Sequence, residues 1–267
     1  MKENRIEGVE SGIVNARNDE PCSKVRNIQE ERAERKMRLA SAFRVFAHFG
    51  FDEGVAGNIT ARDPEFTDTF WLNPFGHYFG SICVSDLIRV DKHGNVVEGQ
   101  TDTVNESALI LHSQIHERRP EINSVVHAHS IYGRTFSATG KTLRPLTVEA
   151  TAFYDDHVVF GKMGGVMSQM EEGQMVAEAL EEKKAMILAN HGLLTVGKTV
   201  DEAAWWFIAM ERSCQTQLLA EAVCNPRELT EEEARRGYQE MGNSDAGWYQ
   251  YQPLFQRILK EQPDFLR

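Results

Sequence analysis

Two stretches of this chain end an apolar run in histidine, and their residue types and spacing suit a metal ion. In Ser124-Val125-Val126-His127-Ala128-His129-Ser130 the two imidazoles stand one residue apart. An extended backbone turns residues i and i+2 to the same side, so His127 and His129 can aim at one cation. A third histidine, His191, stands in Ala189-Asn190-His191-Gly192, directly after the apolar run 185–189. One strand-end histidine alone is more often satisfied by backbone groups, because imidazole fills many structural roles. Two strand ends with the same punctuation favour a three-histidine metal centre. Such a centre leaves room for two oxygens of a small hydroxy-carbonyl or 2-oxo-acid substrate. Lewis-acid polarisation would stabilise an enediolate, the intermediate shared by aldol cleavage, decarboxylation, epimerisation and dehydration. Zn2+ suits the ligand set best, and Fe2+, Mn2+ or Co2+ would also be accepted.

The elements that must position these residues are visible as periodic patterns. Met37, Leu39, Ala40, Phe43, Val45, Phe46 and Phe49 recur at helical spacing and predict a helix over 27–49, stopped by Gly50. The small residues of Gly54-Val55-Ala56-Gly57-Asn58 permit a close backbone approach before a strand through Ile59 and Ala61. Asn105-Glu106-Ser107 opens a helix to about Arg118. Glu106 falls in its first turn, where a carboxylate either caps the helix or serves catalysis. His112 and His116 have the i,i+4 spacing of a zinc pair, but no HExxH surrounds them and a structural role fits better. Strands alternate with helices, and Asp91-Lys92-His93-Gly94-Asn95 reads as a hairpin turn. The pattern predicts a three-layer α/β/α fold around a central mixed, largely antiparallel sheet.

Composition bounds the rest. A chain of 267 residues with 41% hydrophobic content can bury a full core, and no linker divides its middle. Residues 1–26 are polar and aperiodic, so a disordered or loosely docked arm is expected there. A domain over 27–230 follows, then a tail over 231–267 that docks on its own or a neighbouring subunit. The net charge of −11 argues against a nucleic-acid or anionic-membrane partner. Four cysteines without CxxC spacing and a polar N-terminus fit a reducing, cytoplasmic location. No apolar run approaches the roughly 18 residues of a membrane span.

Taken in order, Gly57-Asn58, Asn73-Pro74-Phe75-Gly76, Glu106, His127-x-His129 and Asn190-His191-Gly192-Leu193 resemble the class II aldolase/adducin family over about residues 33–222. The resemblance implies that His127, His129 and His191 bind zinc and that Glu106 is a fourth ligand and proton carrier. It places Gly57, Asn58, Asn73, Gly76 and Asn105 at the substrate. Two departures bear on that substrate. Val104-Asn105 stands where the family's phosphate cradle has a Ser-Ser pair, and Phe75-Gly76 replaces a Ser/Thr-Gly, so an unphosphorylated substrate is expected. The Asn-Pro-Phe-Gly wording is similar to the adducin head, which implies the alternative of a non-catalytic domain on the actin/spectrin cytoskeleton. Adducin heads lack the acid matching Glu106, and its presence here favours an enzyme. The aromatics of Trp205-Trp206-Phe207 and of the tail from Trp248 to Phe265 exceed what one α/β layer readily buries. With the family's ring assemblies, they imply a homotetramer in which Tyr249 or Tyr251 reaches a neighbouring site.

Overall fold

The computed structural model describes residues 27–100, 103–161 and 169–267. The expected arm, residues 1–26, lies outside the described residues. The first element, α1 (Ile28–Phe49), starts in a capping box: the Asn27 side chain accepts from the Glu30 amide and the Glu30 carboxylate accepts from the Asn27 amide. Gly50 ends it at φ 71°, a left-handed conformation that glycine adopts without strain.

The chain continues through β1 (Asn58–Arg62), β2 (Thr69–Leu72), β3 (Ile88–Asp91), β4 (Val96–Glu98), α2 (Glu106–Arg118), β5 (Ser124–Ala128) and α3 (Ile131–Ser137). Then come β6 (His157–Phe160), α4 (Met170–Leu180), β7 (Ala185–Leu188), β8 (Gly192–Gly197), α5 (Val200–Val223), α6 (Glu231–Met241) and α7 (Ser244–Glu261). The eight strands form one sheet in the order β4-β3-β2-β1-β5-β8-β7-β6. Every neighbouring pair is antiparallel except β6 with β7. This is the mixed, largely antiparallel sheet that the alternating pattern predicts.

Strand alternation assigns the two faces. Val126 and Ala128 of β5 enter the core formed with α1, α3, α5 and α7, whereas Val125 enters the smaller core under α2 and α4. His127 has the parity of Val125 and therefore faces α2. Burial of the large aromatics follows from the same layering. Trp206, Phe207, Tyr251, Phe255 and Phe265 all lie in the larger core, because α7 folds back across α5 and α1. Counting aromatics overestimated the surface left for a neighbour: these residues are covered by their own chain. Tyr251 is fully buried and Tyr249 half exposed.

One polar clamp ties α1 to the end of β1 away from the histidines and to β2. The buried Asp63 carboxylate accepts from Arg32 of α1 at 2.7 and 2.9 Å and from the Trp71 indole of β2 at 2.8 Å. Burial alone would raise its pKa, but the Arg32, Phe66, Trp71 and Glu65 hydrogen bonds outweigh it and hold the carboxyl well below the usual carboxylate range. A depressed carboxylate contributes stability that is full above its unfolded pKa, near 4, and that falls away as pH drops below it. We therefore expect Asp63→Asn to lower stability by about 3 kcal/mol at pH 7. In urea unfolding the gap to the unsubstituted protein should shrink steadily below about pH 4.

Candidate metal centre

Strand register assembles the three histidines. Asn58 of β1 pairs with His127 of β5, and on the other side His127 pairs with Leu194 and Ala128 with Leu193 of β8. His191 belongs to the three-residue connection of the β7–β8 hairpin, in which Asn190 takes φ 58°. That connection closes tightly on β5. A Cβ at Gly192 would stand 2.8 Å from the Ala128 carbonyl, so glycine is what lets His191 reach the end of β5. Gly57, at φ 96°, makes a similar approach from β1, where a Cβ would stand 3.1 Å from the His127 carbonyl.

The three imidazoles converge. Nε2 of His127 lies 3.2 Å from Nε2 of His129 and 3.2 Å from Nε2 of His191. Candidate ligand atoms of all three lie within 4.8 Å of one another. Nitrogens placed tetrahedrally 2.0 to 2.1 Å from a zinc ion are separated by about 3.3 Å, so the cluster has the dimensions of a metal site. The Leu193 carbonyl, 2.8 Å from Nδ1 of His127, can only accept, which puts the proton on Nδ1 and leaves a lone pair on Nε2. Burial, with His191 and His129 beside it, pushes the His127 pKa well below its ordinary value. Burial pushes His129 down to about 4 and lowers His191 as well. Burial thus favours, in all three rings, the neutral form that binds metal.

A buried carboxylate from the other layer fixes the chain just after His129. Glu211 of α5 is 1% exposed. It accepts from the Ser130 hydroxyl at 2.5 Å and from the Tyr132 and Gly133 amides at 2.9 and 2.6 Å. Sequence reading passed over this residue. Its signal was an acid at a buried periodic position of α5, four residues after Phe207.

His112 and His116 are structural. The Thr60 hydroxyl of β1 lies 2.9 Å from Nδ1 of His112 and 3.0 Å from Nε2 of His116, and Arg62 donates to the His116 carbonyl at 2.6 Å. Both rings are buried, and burial pushes His112 down to about 3. The pair anchors α2 to β1.

A cavity of about 280 Å³ opens over the three histidines. Of the residues expected at substrate, Gly57, Asn58 and Asn105 line it. Asn73 and Gly76 do not. Asn73 is buried beneath the loop with its amide nitrogen on the Pro74 carbonyl at 3.1 Å, and it is Phe75 that faces the cavity. Glu106 is exposed at the first position of α2 and its carboxylate is not part of the histidine cluster, although its neighbours Asn105 and Ser107 both line the cavity. Asn105 caps the helix, accepting from the Ala108 amide at 3.2 Å.

A profile described as "Class II Aldolase and Adducin N-terminal domain" matches residues 37–218. The chain belongs to the class II aldolase/adducin family. Decarboxylase NovR of Streptomyces niveus is 46% identical over 237 residues, 88% of this chain and 87% of that protein. The 4-hydroxy-3-prenylphenylpyruvate oxygenase/4-hydroxy-3-prenylbenzoate synthase of Streptomyces roseochromogenus subsp. oscitans is 45% identical over 237 residues, 88% of this chain and 85% of its own. Among solved structures, L-fuculose 1-phosphate aldolase from Glaciozyma antarctica PI12 superposes with a TM-score of 0.86 at 42% identity, over 93% of this chain and 97% of that one. With these relatives, the chain is an enzyme of the lyase type. No helix among the described residues is long and apolar enough to cross a membrane.

Two substitutions check this geometry. His127→Ala should abolish stoichiometric Zn2+ uptake, measured by elemental analysis after gel filtration. Glu211→Gln should leave the helical circular dichroism in place and weaken Zn2+ binding in a competition titration, because the segment after His129 loses the carboxylate that holds it.

Proposed function

We propose that the protein binds one divalent cation, preferably Zn2+ over Fe2+, Mn2+ or Co2+, on His127, His129 and His191. With it the enzyme cleaves a carbon–carbon bond in a small hydroxy-carbonyl or 2-oxo-acid substrate, by aldol cleavage or decarboxylation. The observation that carries this reading is the convergence of three imidazoles on one cavity. The bound cation would supply Lewis-acid polarisation of the substrate's carbonyl and so accommodate the charge that develops on oxygen as the bond one carbon further on breaks.

The chain's own residues then have separate tasks. Leu193 holds the His127 ring by its Nδ1 proton, and Glu211 holds the backbone that carries His129. Glu106, between two cavity-lining residues, is assigned the proton transfer that completes the cleaved fragment. Decarboxylation is supported by the 46%-identical relative named a decarboxylase. A second reading, oxidative cleavage with Fe2+ and dioxygen, is supported by the 45%-identical relative named an oxygenase. Assembly as a homotetramer belongs to the same proposal and rests on the family resemblance.

Anaerobic incubation of the Zn2+-loaded protein with 4-hydroxy-2-oxo acids and 3-oxo acids, following aldehyde and CO2, tests the lyase reading. Cleavage without oxygen is expected. Turnover only with Fe2+ and oxygen would transfer the assignment to the second reading, and no turnover under either condition would refute both. Glu106→Gln should retain one metal per chain and lose about 100-fold or more in kcat; an unchanged kcat would remove Glu106 from the chemistry. Sedimentation should give a species of four 30.3 kDa chains.

A further inference from the structure

The walls of the cavity have a chemistry of their own. Besides the imidazoles, its apolar lining consists of Val55, Ala56 and Phe75 and of Ala108 and Leu111 of α2. The remaining polar liners, Asn58, Asn105 and Ser107, are uncharged. Among the described residues, no lysine or arginine lines the cavity. A phosphate dianion seated away from the histidines would lose its hydration against apolar walls with no lysine or arginine among the described lining residues to replace it, an unfavourable exchange. An aromatic ring or a branched alkyl group would instead exchange water for Phe75, Leu111 and Val55. At about 280 Å³ the space lies near the small end of the range for small-molecule sites, which suits one compact apolar group beside the chelating head.

From this we infer that the enzyme's substrate is an aryl- or alkyl-substituted hydroxy-carbonyl or 2-oxo acid. Its polar head lies at the histidines and its apolar substituent lies between Phe75 and Leu111. The inference rests on the metal-chelate reading given above and deepens it, because it specifies the half of the substrate that the histidines do not touch. Phe75 and Leu111 are the specificity-determining residues. Phe75 is 40% exposed and forms the rim, whereas Leu111 is 3% exposed and forms the inner wall.

Three hydroxamates with the same chelating group and different substituents separate head from tail: acetohydroxamate, phenylacetohydroxamate and phosphoglycolohydroxamate. Calorimetric titration of each into the Zn2+-loaded, full-length protein should show phenylacetohydroxamate binding about tenfold or more tighter than acetohydroxamate. Phosphoglycolohydroxamate should bind no tighter than acetohydroxamate. Phe75→Ser, at a half-exposed position with little consequence for folding, should reduce the phenyl-to-methyl affinity ratio severalfold at an unchanged melting temperature. Val55→Lys, at a 57% exposed position, should raise the affinity for phosphoglycolohydroxamate relative to acetohydroxamate by supplying the missing cation.

Equal affinity for phenyl and methyl, or a preference for the phosphate in the unsubstituted protein, would overturn this inference while leaving the metal site intact. Failure of all three to bind would refute the metal-chelate reading and this inference with it. The predicted affinity order in a protein that cleaves no substrate would uphold the inference and reject only the lyase assignment.

Discussion

The antiparallel pairing of β5 with β8 is the constraint on which the site depends. It sets His127 opposite Leu194 and brings the Leu193 carbonyl within 2.8 Å of the His127 ring. It also draws the β7–β8 hairpin against the end of β5, so that His191 arrives beside His129. A register slip of one residue would turn His127 into the opposite core and leave the cluster without its central member. Gly192 enforces the register from the other side, since any larger residue would meet the Ala128 carbonyl. Ligand placement here is a property of main-chain hydrogen bonding and backbone closeness before it is a property of side chains.

Rigidity comes from both faces of the sheet. On one face Glu211 reaches from α5 to the first amides of α3, where a carboxylate meets the positive end of the peptide dipoles. On the other, Thr60, His112, His116 and Arg62 form a buried hydrogen-bonded column between β1 and α2. Buried polar groups of this kind are costly when unpaired and directional when paired. They hold the strands and α2 in one relative position, where apolar packing alone would tolerate sliding.

Much of this was legible in the sequence, and the physical reasons differ from part to part. His127 and His129 announce themselves because strand geometry has a period of two, and His191 because the same apolar-to-histidine ending recurs. Helix limits at Asn27, Gly50 and Asn105 were readable from apolar periodicity and from Gly50 as a stop, which are local signals. Glu211 was not, because it acts on residues 78 to 81 positions earlier, and nothing local marks such a partner. The aromatics of α5 and α7 were misjudged for a related reason. Composition counts rings, but only the path of α7 across α1 and α5 decides whether they face solvent. Asn73 and Phe75 illustrate a finer limit: both stand in one motif, and the turn sends the polar side chain inward and the ring toward the cavity.

The buried column beneath α2 has a consequence for how this enzyme can change over evolutionary time. His112 and His116 carry the attachment of the helix to β1, while Ala108 and Leu111, within the same turns, carry none of those hydrogen bonds and face the cavity. Anchorage of α2 and the lining of the cavity are therefore borne by different side chains of a single helix. Ala108 and Leu111 could be exchanged for residues of similar volume while those hydrogen bonds stay in place. A lineage keeping the column and the strand register would retain its cation chemistry while its choice of reactant drifted, so divergent activities can share one unaltered centre.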